Sequence, residues 1–403
     1  MFTFILGSLA AVIAYCAYKH VAALQAVNNL PGLRPLVSPL SLSSTLFSRI
    51  PFVLGTTWNW THRHTAYFYH THDIISIVPL LPYKPLHYTS SLAVMKQILG
   101  SESRVHTIKP YDLTLKRLLG ENILSSSGEL WKRYRRAVAP AFTTKTFESG
   151  WGVSKASYRQ MTEGEKWDGK AEIIIDNIHP LMLKLTLMVI SKAGFGFGTS
   201  WHNSGDHYEF SEAFRVVAST LVPRIVTPFW AYSLPIERLQ KMGKSWSVVS
   251  SHVATAFGAA RSSQVEDGGS AASSLDLLDR LVSSALSLGK FSMSEEEVIA
   301  NMFTLLFAGH ETTASGLVTT LAYLSVYQDE QEKAYQEIER AWMTQDADVR
   351  VDETELGHTL RCFYEAQRLC PTAYIIPREM TEDVPIAVMH PEPATIVLNK
   401  GSV

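Results

Sequence analysis

The chain contains few cysteines, few charged residues and no excess of either charge. Its 403 residues include three cysteines, its charged share is 18%, and its formal net charge is -2. So few cysteines cannot form the disulfide framework of a small secreted domain. A near-neutral balance without a basic stretch also argues against a nucleic-acid-binding surface. The charged share lies below the usual quarter of a soluble domain, which predicts a large buried core or a membrane segment.

The three cysteines do not match a metal-binding pattern. Cys16 lies in an apolar run, and Cys362 and Cys370 are eight residues apart, which is not a zinc-ligand spacing. We therefore predict reduced, buried thiols and no metal site. Reduced thiols are expected of a protein body that faces the cytosol.

The N-terminus lacks charge until Lys19. An apolar run of about 20 residues spans a bilayer as a helix, and residues 1–24 are just long enough. A cleaved signal peptide would begin with basic residues. We therefore predict one uncleaved transmembrane anchor over residues 1–24, with a signal peptide and a buried helix as the alternatives. Lys19 and Arg34 follow the apolar run, which places the body in the cytosol by the positive-inside rule.

Residues 25–45 form a proline-rich hinge after the anchor. Pro31, Pro35 and Pro39 lie within it, and prolines at this spacing make a stiff, extended connector that cannot continue the helix. The body of the protein then comprises residues 46–403.

Helical periodicity dominates the body, which shows no internal repeat. Apolar positions recur every three or four residues in the segments 172–197, 208–221, 243–261, 274–288, 294–327 and 328–344. Strand-like segments are few, at 74–78 and 395–398. The sequence therefore predicts a mainly α fold with a small β part.

The longest predicted helix covers residues 292–327. Ser292 followed three residues later by Glu295 has the pattern of a capping box, which marks a helix start. A helix of about 34 residues is roughly 50 Å long. A helix of that length must cross the centre of a large domain.

The middle of this helix has an unusual composition. Gly309 costs about 1 kcal/mol relative to alanine in a helix. Thr312 and Thr313 are poor helix formers, and their hydroxyls can bond to carbonyls one turn back. A glycine, an acid at Glu311 and these hydroxyls within an apolar helix favour a binding or reaction site. A tolerated polar kink is the alternative.

Two other motifs in the chain are incomplete. His310-Glu311 could begin the zinc-protease pattern H-E-x-x-H, but Ala314 stands where the second histidine is required. The glycines of 194–198 suggest a dinucleotide-binding loop, but the third glycine of that pattern would fall on Thr199. We interpret the second segment as a turn that ends a helix.

Four segments, in this order, together resemble the cytochrome P450 family of haem-thiolate monooxygenases, most closely its microsomal fungal members. They are Trp131-Lys132-Arg133-Tyr134-Arg135 as W-x-x-x-R, Ala308-Gly309-His310-Glu311-Thr312-Thr313 as the oxygen-activating segment, Glu365-Ala366-Gln367-Arg368 as E-x-x-R, and Pro377-Arg378-Glu379 as an arginine-bearing strand. A lone E-x-x-R is common by chance. The ordered set, behind an anchor and a proline hinge, is more specific and covers about residues 1–400.

The resemblance implies a haem cofactor and assigns residues to it. Trp131 and Arg135, four apart on one helix face, would donate hydrogen bonds to a haem propionate, and Arg378 would be a second cationic partner. Ala308 and Gly309 would lie against the porphyrin and the oxygen site. From the residues alone, surface charges are the favoured interpretation of Arg135 and Arg378.

The resemblance also assigns catalytic and structural roles. Thr312 would be the near proton donor to bound dioxygen, and Glu311 would draw protons from solvent. A buried salt bridge is the alternative for Glu311. Glu365 and Arg368 would form a buried ion pair that stabilises the core behind the haem and takes no part in the chemistry.

The sequence departs from the family pattern at one place. The resemblance implies a proximal cysteine in a loop of the form F-x-x-G-x-R-x-C-x-G, well after E-x-x-R, and these 403 residues contain no such loop. Residues 46–403 are therefore predicted to be a P450 catalytic domain that is incomplete at its C-terminus. A truncated gene model, a splice form and a degenerate copy remain open, and the intact upstream motifs favour the first.

The resemblance implies a monooxygenase that oxidises a lipophilic small molecule with dioxygen, with secondary metabolism as one setting. Electrons would come from an NADPH-dependent reductase, and the protein would be a single-pass protein of the endoplasmic reticulum membrane. The alternative is a catalytically silent membrane protein that binds lipophilic ligands or partners. A cysteine loop encoded beyond Val403 would support the first.

Overall fold

The protein folds into helices with three small β-sheets. The computed structural model describes residues 2–403 except 42, 45–46, 48–49, 56, 64–70, 101–106, 111–115, 117, 198–199, 202–205, 267–276, 288, 290–291 and 345–352. The helices are α1 (Phe2–Ala26), α2 (Trp58–Thr61), α3 (Leu92–Leu99), α4 (Gly128–Val138), α5 (Thr144–Gly164), α6 (His179–Phe195), α7 (Asp206–Ser219), α8 (Leu221–Val226), α9 (Glu237–Glu266), α10 (Leu277–Leu286), α11 (Glu295–Val326), α12 (Gln328–Thr344) and α13 (Gly357–Leu369). The strands are β1 (Gly32–Leu33), β2 (Ile75–Ile77), β3 (Leu86–Tyr88), β4 (Thr107–Ile108), β5 (Glu379–Met380), β6 (Val384–Val388) and β7 (Ala394–Leu398). The mainly α prediction is confirmed.

Two compact units divide the chain. The first comprises residues 1–110 and 375–403, and the second comprises residues 111–374. The first unit contains all seven strands. In it, β1 pairs in parallel with β2 and β2 pairs antiparallel with β3, while β4 with β5 and β6 with β7 form two further antiparallel pairs. The sheet residues and α3 share a small core: Ile74, Val94, Met380, Ile386, Val388 and Leu398.

Two residues within the predicted proline-rich hinge pair in a sheet. Gly32 and Leu33 pair with Ser76 and Ile77. Gly32 has a φ of +152°, and a Cβ atom there would lie 1.9 Å from the carbonyl oxygen of Ser76. Only glycine permits this close approach of two backbones. The connector is therefore extended at this point, as predicted, and is fixed by hydrogen bonds to β2.

Helix α1 meets the length and hydropathy criteria for a membrane span. Residues 6–26 have a mean hydropathy of 1.3, and none of this stretch is buried within the protein. At its end, the side-chain amide of Asn399 donates to the carbonyl of Ala26 at 2.7 Å. Asn28 and Asn29, both at positive φ, then end the helix, which is the left-handed conformation that asparagine tolerates best.

The second unit is a helical body packed around α11. Its core joins α4, α6, α7, α9, α10 and α11 through large apolar side chains, among them Phe195, Phe210, Phe214, Trp246, Met302 and Leu306. Trp246 of α9 stacks on Phe303 of α11, with ring centroids 5.3 Å apart. At about 1.5 Å per residue the 32-residue α11 is roughly 48 Å long. The prediction of one long central helix is confirmed.

Helix α6 begins later than its periodicity predicts. The predicted segment started at residue 172, but the helix starts at His179, with Pro180 in its first turn. Proline is suited to this position because its missing N–H would have no partner there. The side-chain oxygen of Asn177 accepts from the backbone N–H of His179 at 3.1 Å. The helix ends at Phe195, and Gly196 follows with a φ of 68°, so the predicted helix-ending turn is confirmed.

The capping box of α11 lies two residues later than predicted. The pair Ser292 and Glu295 was wrong, because the N-cap is Ser294 and its reciprocal partner is Glu297. The hydroxyl of Ser294 accepts from the N–H of Glu297, and the Glu297 carboxylate accepts from the N–H of Ser294 at 2.8 Å. The Ser292 carbonyl instead accepts from Arg133 of α4 at 3.0 Å.

Glu297 also connects α11 to α4. Its carboxylate pairs with the guanidinium of Arg133 and accepts from the fully buried hydroxyl of Tyr134 at 2.7 Å. One turn further along α11, the side-chain oxygen of Asn301 accepts from the N–H of Ile123 at 2.8 Å. These bonds fix α4, and the segment before it, against the first turns of α11.

We predict that Glu297→Ala lowers the free energy of unfolding by about 3 kcal/mol, because one carboxylate supplies a helix cap and two charge-assisted hydrogen bonds. Glu296→Ala is the matched control, since it removes a carboxylate from the same helical turn without touching α4. Urea unfolding followed by circular dichroism measures both variants. Equal losses in the two variants would show that the bonds to Arg133 and Tyr134 contribute nothing.

Candidate functional site

The middle of α11 has an exposed face between two stretches of buried residues. Ala308, Glu311, Thr312 and Thr313 are exposed, whereas His310 and Ala314 are buried. Residues three and four apart share one face of a helix, so Ala308, Glu311 and Thr312 form a continuous strip, which we call the open face. The predicted site segment therefore has an accessible surface made of a methyl, a carboxyl and a hydroxyl group.

The threonines of this segment bond as the sequence predicted. The hydroxyl of Thr312 donates to the carbonyl of Ala308 at 2.7 Å, and that of Thr313 donates to the carbonyl of Gly309 at 2.8 Å. The helix remains continuous through both residues. Each hydroxyl keeps its lone pairs free to accept a further hydrogen bond.

Glu311 is the carboxyl group of the open face. Its surroundings raise the pKa of Glu311 above the ordinary value, because partial burial penalises the ionised form, while nearby His179 acts in the opposite direction. A carboxyl with a raised pKa gains and loses a proton more readily near neutral pH than an exposed one does. This property suits a group that passes protons, as predicted for Glu311.

Gly309 lies close to a side chain of α6. A Cβ atom at Gly309 would lie 3.1 Å from the side chain of Ile190 on α6. The glycine thus allows α6 and α11 to approach each other closely, and its placement against a porphyrin stays a prediction. His310 packs on the same side, edge-on to Phe214 with ring centroids 4.9 Å apart. The hydroxyl of Thr186 on α6 donates to the His310 carbonyl at 2.9 Å.

Trp131 and Arg135 lie on α4, as predicted. The guanidinium of Arg135 lies 5.4 Å from the centre of the Trp131 ring, and Arg135 is exposed. Arg133 and Tyr134 of the same helix point to Glu297 of α11. Two faces of α4 therefore have different roles. One attaches the helix to α11, and the other presents an indole N–H and a guanidinium.

Arg378 lies in the first unit, next to a residue that sequence reasoning missed. In the pairing of β4 with β5, Thr107 is opposite Met380 and Ile108 is opposite Glu379, so Lys109 and Arg378 come next in the same register. Burial and the charge of Arg378 lower the pKa of Lys109 to about 8. Adjacent cations of this kind attract anions. No sequence signal links residues that are so far apart along the chain.

Glu365 and Arg368 form the predicted ion pair on α13, but the pair is not buried. Two hydrogen bonds of 2.7 Å join the guanidinium to the carboxylate. The side chain of Glu365 is 54% exposed and that of Arg368 is 67% exposed. Among the residues that the structure describes, nothing buries the pair, so the prediction of a buried ion pair is wrong there. The reason is the orientation of α13. Its Phe363 and Gln367 face Gly316 of α11, which leaves the ion pair on an outer face.

A family model described as cytochrome P450 matches residues 48–397. Cytochrome P450 monooxygenase 124 of Postia placenta is 28% identical over 402 residues, which cover 95% of this chain and 75% of the relative. The ultra-long-chain fatty acid omega-hydroxylase of Homo sapiens is 26% identical and covers 67% of this chain and 52% of the relative. The leukotriene-B4 omega-hydroxylase 3 of Mus musculus is also 26% identical, with 67% and 53% covered. The chain thus spans about half the length of these two mammalian relatives.

We predict that Glu311→Gln raises the melting temperature at pH 7. The folded state raises the pKa of this carboxyl, so the ionised form is less stable in the folded protein than in the unfolded chain. This cost is present above the folded pKa and vanishes as the pH falls below the unfolded pKa. The two proteins should therefore melt together near pH 4. Thermal unfolding at pH 4 and pH 7 measures the difference.

Glu365→Gln is the control of opposite sign. The hydrogen bonds from Arg368 lower the pKa of Glu365, so its ionised form is favoured by folding and its loss should lower the melting temperature at pH 7. A lower melting temperature for Glu311→Gln at pH 7 would contradict the cost assigned to that ionised carboxyl.

Proposed function

The chain belongs to the cytochrome P450 family, and on that premise we propose that the complete protein is a haem-dependent monooxygenase of lipophilic small molecules. The open face of α11 carries this proposal. A long core helix is expected to be covered on all sides, yet Ala308, Glu311 and Thr312 are accessible in its middle. These three residues belong to the stretch that resembles the family's oxygen-activating segment.

The described residues fit two parts of a haem group. The open face presents a small residue, Ala308, which leaves room for a flat apolar ring, and places polar groups beside it. The donors suited to propionates are also present, because Trp131 and Arg135 share one face of α4 and Lys109 lies beside Arg378. Arginine binds carboxylates with two parallel hydrogen bonds. We therefore assign Trp131 and Arg135 to a propionate, and the family resemblance adds Arg378 as a further cationic partner.

The thiols of Cys362 on α13 and Cys370 directly after it do not fit an axial ligand. The Cys370 sulfur lies 3.5 Å from the hydroxyl of Tyr323, and Cys362 lies beside His358. Tyr323 is eleven residues beyond Thr312, which is about 16 Å along the helix axis. Neither thiol takes part in the proposed reaction.

The bound haem would supply the oxygen chemistry, and the residues of the chain would control protons and access. The Thr312 hydroxyl donates a hydrogen bond to the carbonyl of Ala308. Its oxygen can in turn accept a hydrogen bond from a water molecule on the open face. Glu311, one residue earlier on the same face, would exchange protons with solvent and pass them to Thr312. The apolar core behind the face, with Phe214 and Phe307, would exclude bulk water from the other side.

A lipophilic substrate is the class we propose. Two of the relatives are named for ultra-long-chain fatty acid and leukotriene-B4 omega-hydroxylation. The 26% identity of this chain to these two relatives supports a lipophilic substrate. It gives no reason to choose either relative's own substrate. A membrane-facing enzyme would obtain such a substrate from the lipid phase.

We propose that α1 anchors the protein in the endoplasmic reticulum membrane, with residues 25–45 as the connector and residues 46–403 as part of the catalytic domain. The length and hydropathy of α1 support an anchor. An NADPH-dependent reductase on the same membrane would supply the electrons.

The test of this function is haem binding by the 403-residue chain, expressed in membranes with haem supplied. Arg135→Leu should weaken haem binding about 10-fold or more, because it removes a charge-assisted bond to a propionate. Arg136→Leu, a change of the adjacent exposed arginine, should leave binding unchanged. Soret absorbance during a haem titration measures both. Failure of the unmodified chain to bind haem would favour the catalytically silent alternative.

The carbon-monoxide difference spectrum of the reduced protein tests the assignment of the thiols. We expect no strongly red-shifted Soret band from these 403 residues, because neither thiol of α13 fits the axial position. Such a band would show that Cys362 or Cys370 binds the iron, and our placement of the haem would be wrong.

Thr312→Ala should uncouple oxygen consumption from product formation in the complete protein, because it removes the hydroxyl nearest the oxygen site. Thr313→Ala is the matched control. Its hydroxyl makes the equivalent bond one residue later, to the carbonyl of Gly309. The ratio of product formed to oxygen consumed measures coupling. An unchanged ratio in Thr312→Ala, or an equal loss in both variants, would remove Thr312 from its proposed role.

A further inference from the structure

Three side chains of different chemistry converge on the second unit, away from the open face. Glu330, His358 and Cys362 bring a carboxylate oxygen, an imidazole nitrogen and a thiol sulfur within 4.8 Å of one another. The Nε2 atom of His358 lies 3.1 Å from the carboxylate of Glu330 and 3.6 Å from the sulfur of Cys362. We call these three residues the α12–α13 trio.

The helices hold the trio in place. His358 and Cys362 are four apart in the first turns of α13, so they share one face of it. Glu330 lies in the first turn of α12. The carboxylate of Glu337, two turns further along α12, accepts from the backbone N–H groups of His358 and Thr359 at 2.8 and 2.7 Å. These bonds fix the start of α13 against α12, so the three donors are held together before any ligand binds.

We propose that the α12–α13 trio binds a divalent transition-metal ion of the zinc class. Zinc takes imidazole nitrogen at about 2.0 Å, thiolate sulfur at about 2.3 Å and carboxylate oxygen at about 2.0 Å. In a tetrahedral site these bond lengths place the ligand atoms about 3.5 Å apart. The separations of 3.1 and 3.6 Å already fall near this value.

The position of Nε2 supports a metal over a simple ion pair. Both the carboxylate of Glu330 and the sulfur of Cys362 approach this one nitrogen. A neutral imidazole nitrogen carries either one proton or one lone pair, so a single hydrogen bond satisfies only one of the two neighbours. A metal ion among the three atoms would accept the nitrogen lone pair and bind both neighbours at once.

A second-shell contact and an open side complete the arrangement. The ammonium of Lys333 holds the other oxygen of Glu330 at 2.7 Å, which orients the carboxylate in the way that outer partners orient metal ligands. The trio lines a groove of about 420 Å³ between α11, α12 and α13. The groove leaves a fourth ligand position to water or to a small donor molecule.

Binding would release the thiol proton to solvent, because the thiolate is the metal ligand. Burial and the carboxylates of Glu330 and Glu337 raise the pKa of Cys362, with Arg361 and Lys333 acting in the opposite direction.

The proposed site departs from the sequence prediction of no metal site, because its ligands come from two helices. Cys362 and Cys370 do not form a zinc pattern, and here Cys362 pairs instead with a histidine on its own helix and an acid on α12. The groove includes Thr320 of α11, eight residues beyond Thr312 and about 12 Å along the axis. We infer a structural ion that ties α12 to α13, separate from the open face.

Cobalt(II) titration of the purified 403-residue chain, without a polyhistidine tag, tests the proposal. We expect one cobalt per chain, a thiolate-to-cobalt charge-transfer band in the near ultraviolet, and displacement of the cobalt by zinc. Cys362→Ser should remove the band. Loss of a residue that only orients a metal ligand lowers metal affinity roughly 10- to 100-fold. His358→Ala removes a ligand itself and should weaken cobalt binding by more than that. Glu330→Gln, a substitution of the same size, should weaken binding with the fold intact.

Cys370→Ser is the matched control, because Cys370 lies at the end of the same helix and outside the trio. It should keep the band and the affinity. Circular dichroism without metal shows whether each variant is folded. If the variant at His358 or Cys362 is unfolded, the cobalt affinity of Glu330→Gln tests the proposal instead. The absence of a charge-transfer band in the unsubstituted chain, or a band that survives in Cys362→Ser, would overturn the proposal.

Discussion

The carboxylate of Glu297 is the contact on which the geometry of the site depends. It caps α11, pairs with Arg133 and accepts from the buried hydroxyl of Tyr134. Because α4 carries Trp131 and Arg135, this carboxylate also sets where the two proposed propionate donors lie relative to α11. A partly buried carboxylate is costly unless it is paired and hydrogen-bonded, and here the cap and the two bonds from α4 supply its partners.

The middle of α11 packs against other helices on one side and exposes the proposed catalytic residues on the other. Gly309 allows the side chain of Ile190 on α6 to approach the helix, and His310 packs against Phe214. Glu311 and Thr312 lie on the exposed side. The close contact with Ile190 gives Gly309 a packing role that the motif alone did not reveal.

Local patterns predicted much of the fold and part of the site. The periodicity of α11 and the position of Gly196 at the end of α6 were confirmed, because both depend on residues a few positions apart. The start of α11 was misplaced by two residues, since Ser292-Glu295 and Ser294-Glu297 have the same pattern. Contact with Arg133 of α4 distinguishes them, and that contact joins residues that lie far apart in the chain.

By itself the sequence determined the helical class, the long central helix, the apolar N-terminal run and the order of motifs that identifies the family. These features arise from local spacing and residue type, which a chain displays without folding. Only the tertiary structure decided that the Glu365–Arg368 pair is exposed, that Lys109 lies next to Arg378, and that Cys362 meets Glu330 and His358. Each of these depends on which helix or strand face packs against a distant segment. Burial and proximity across the chain follow from that packing, and no local pattern encodes them.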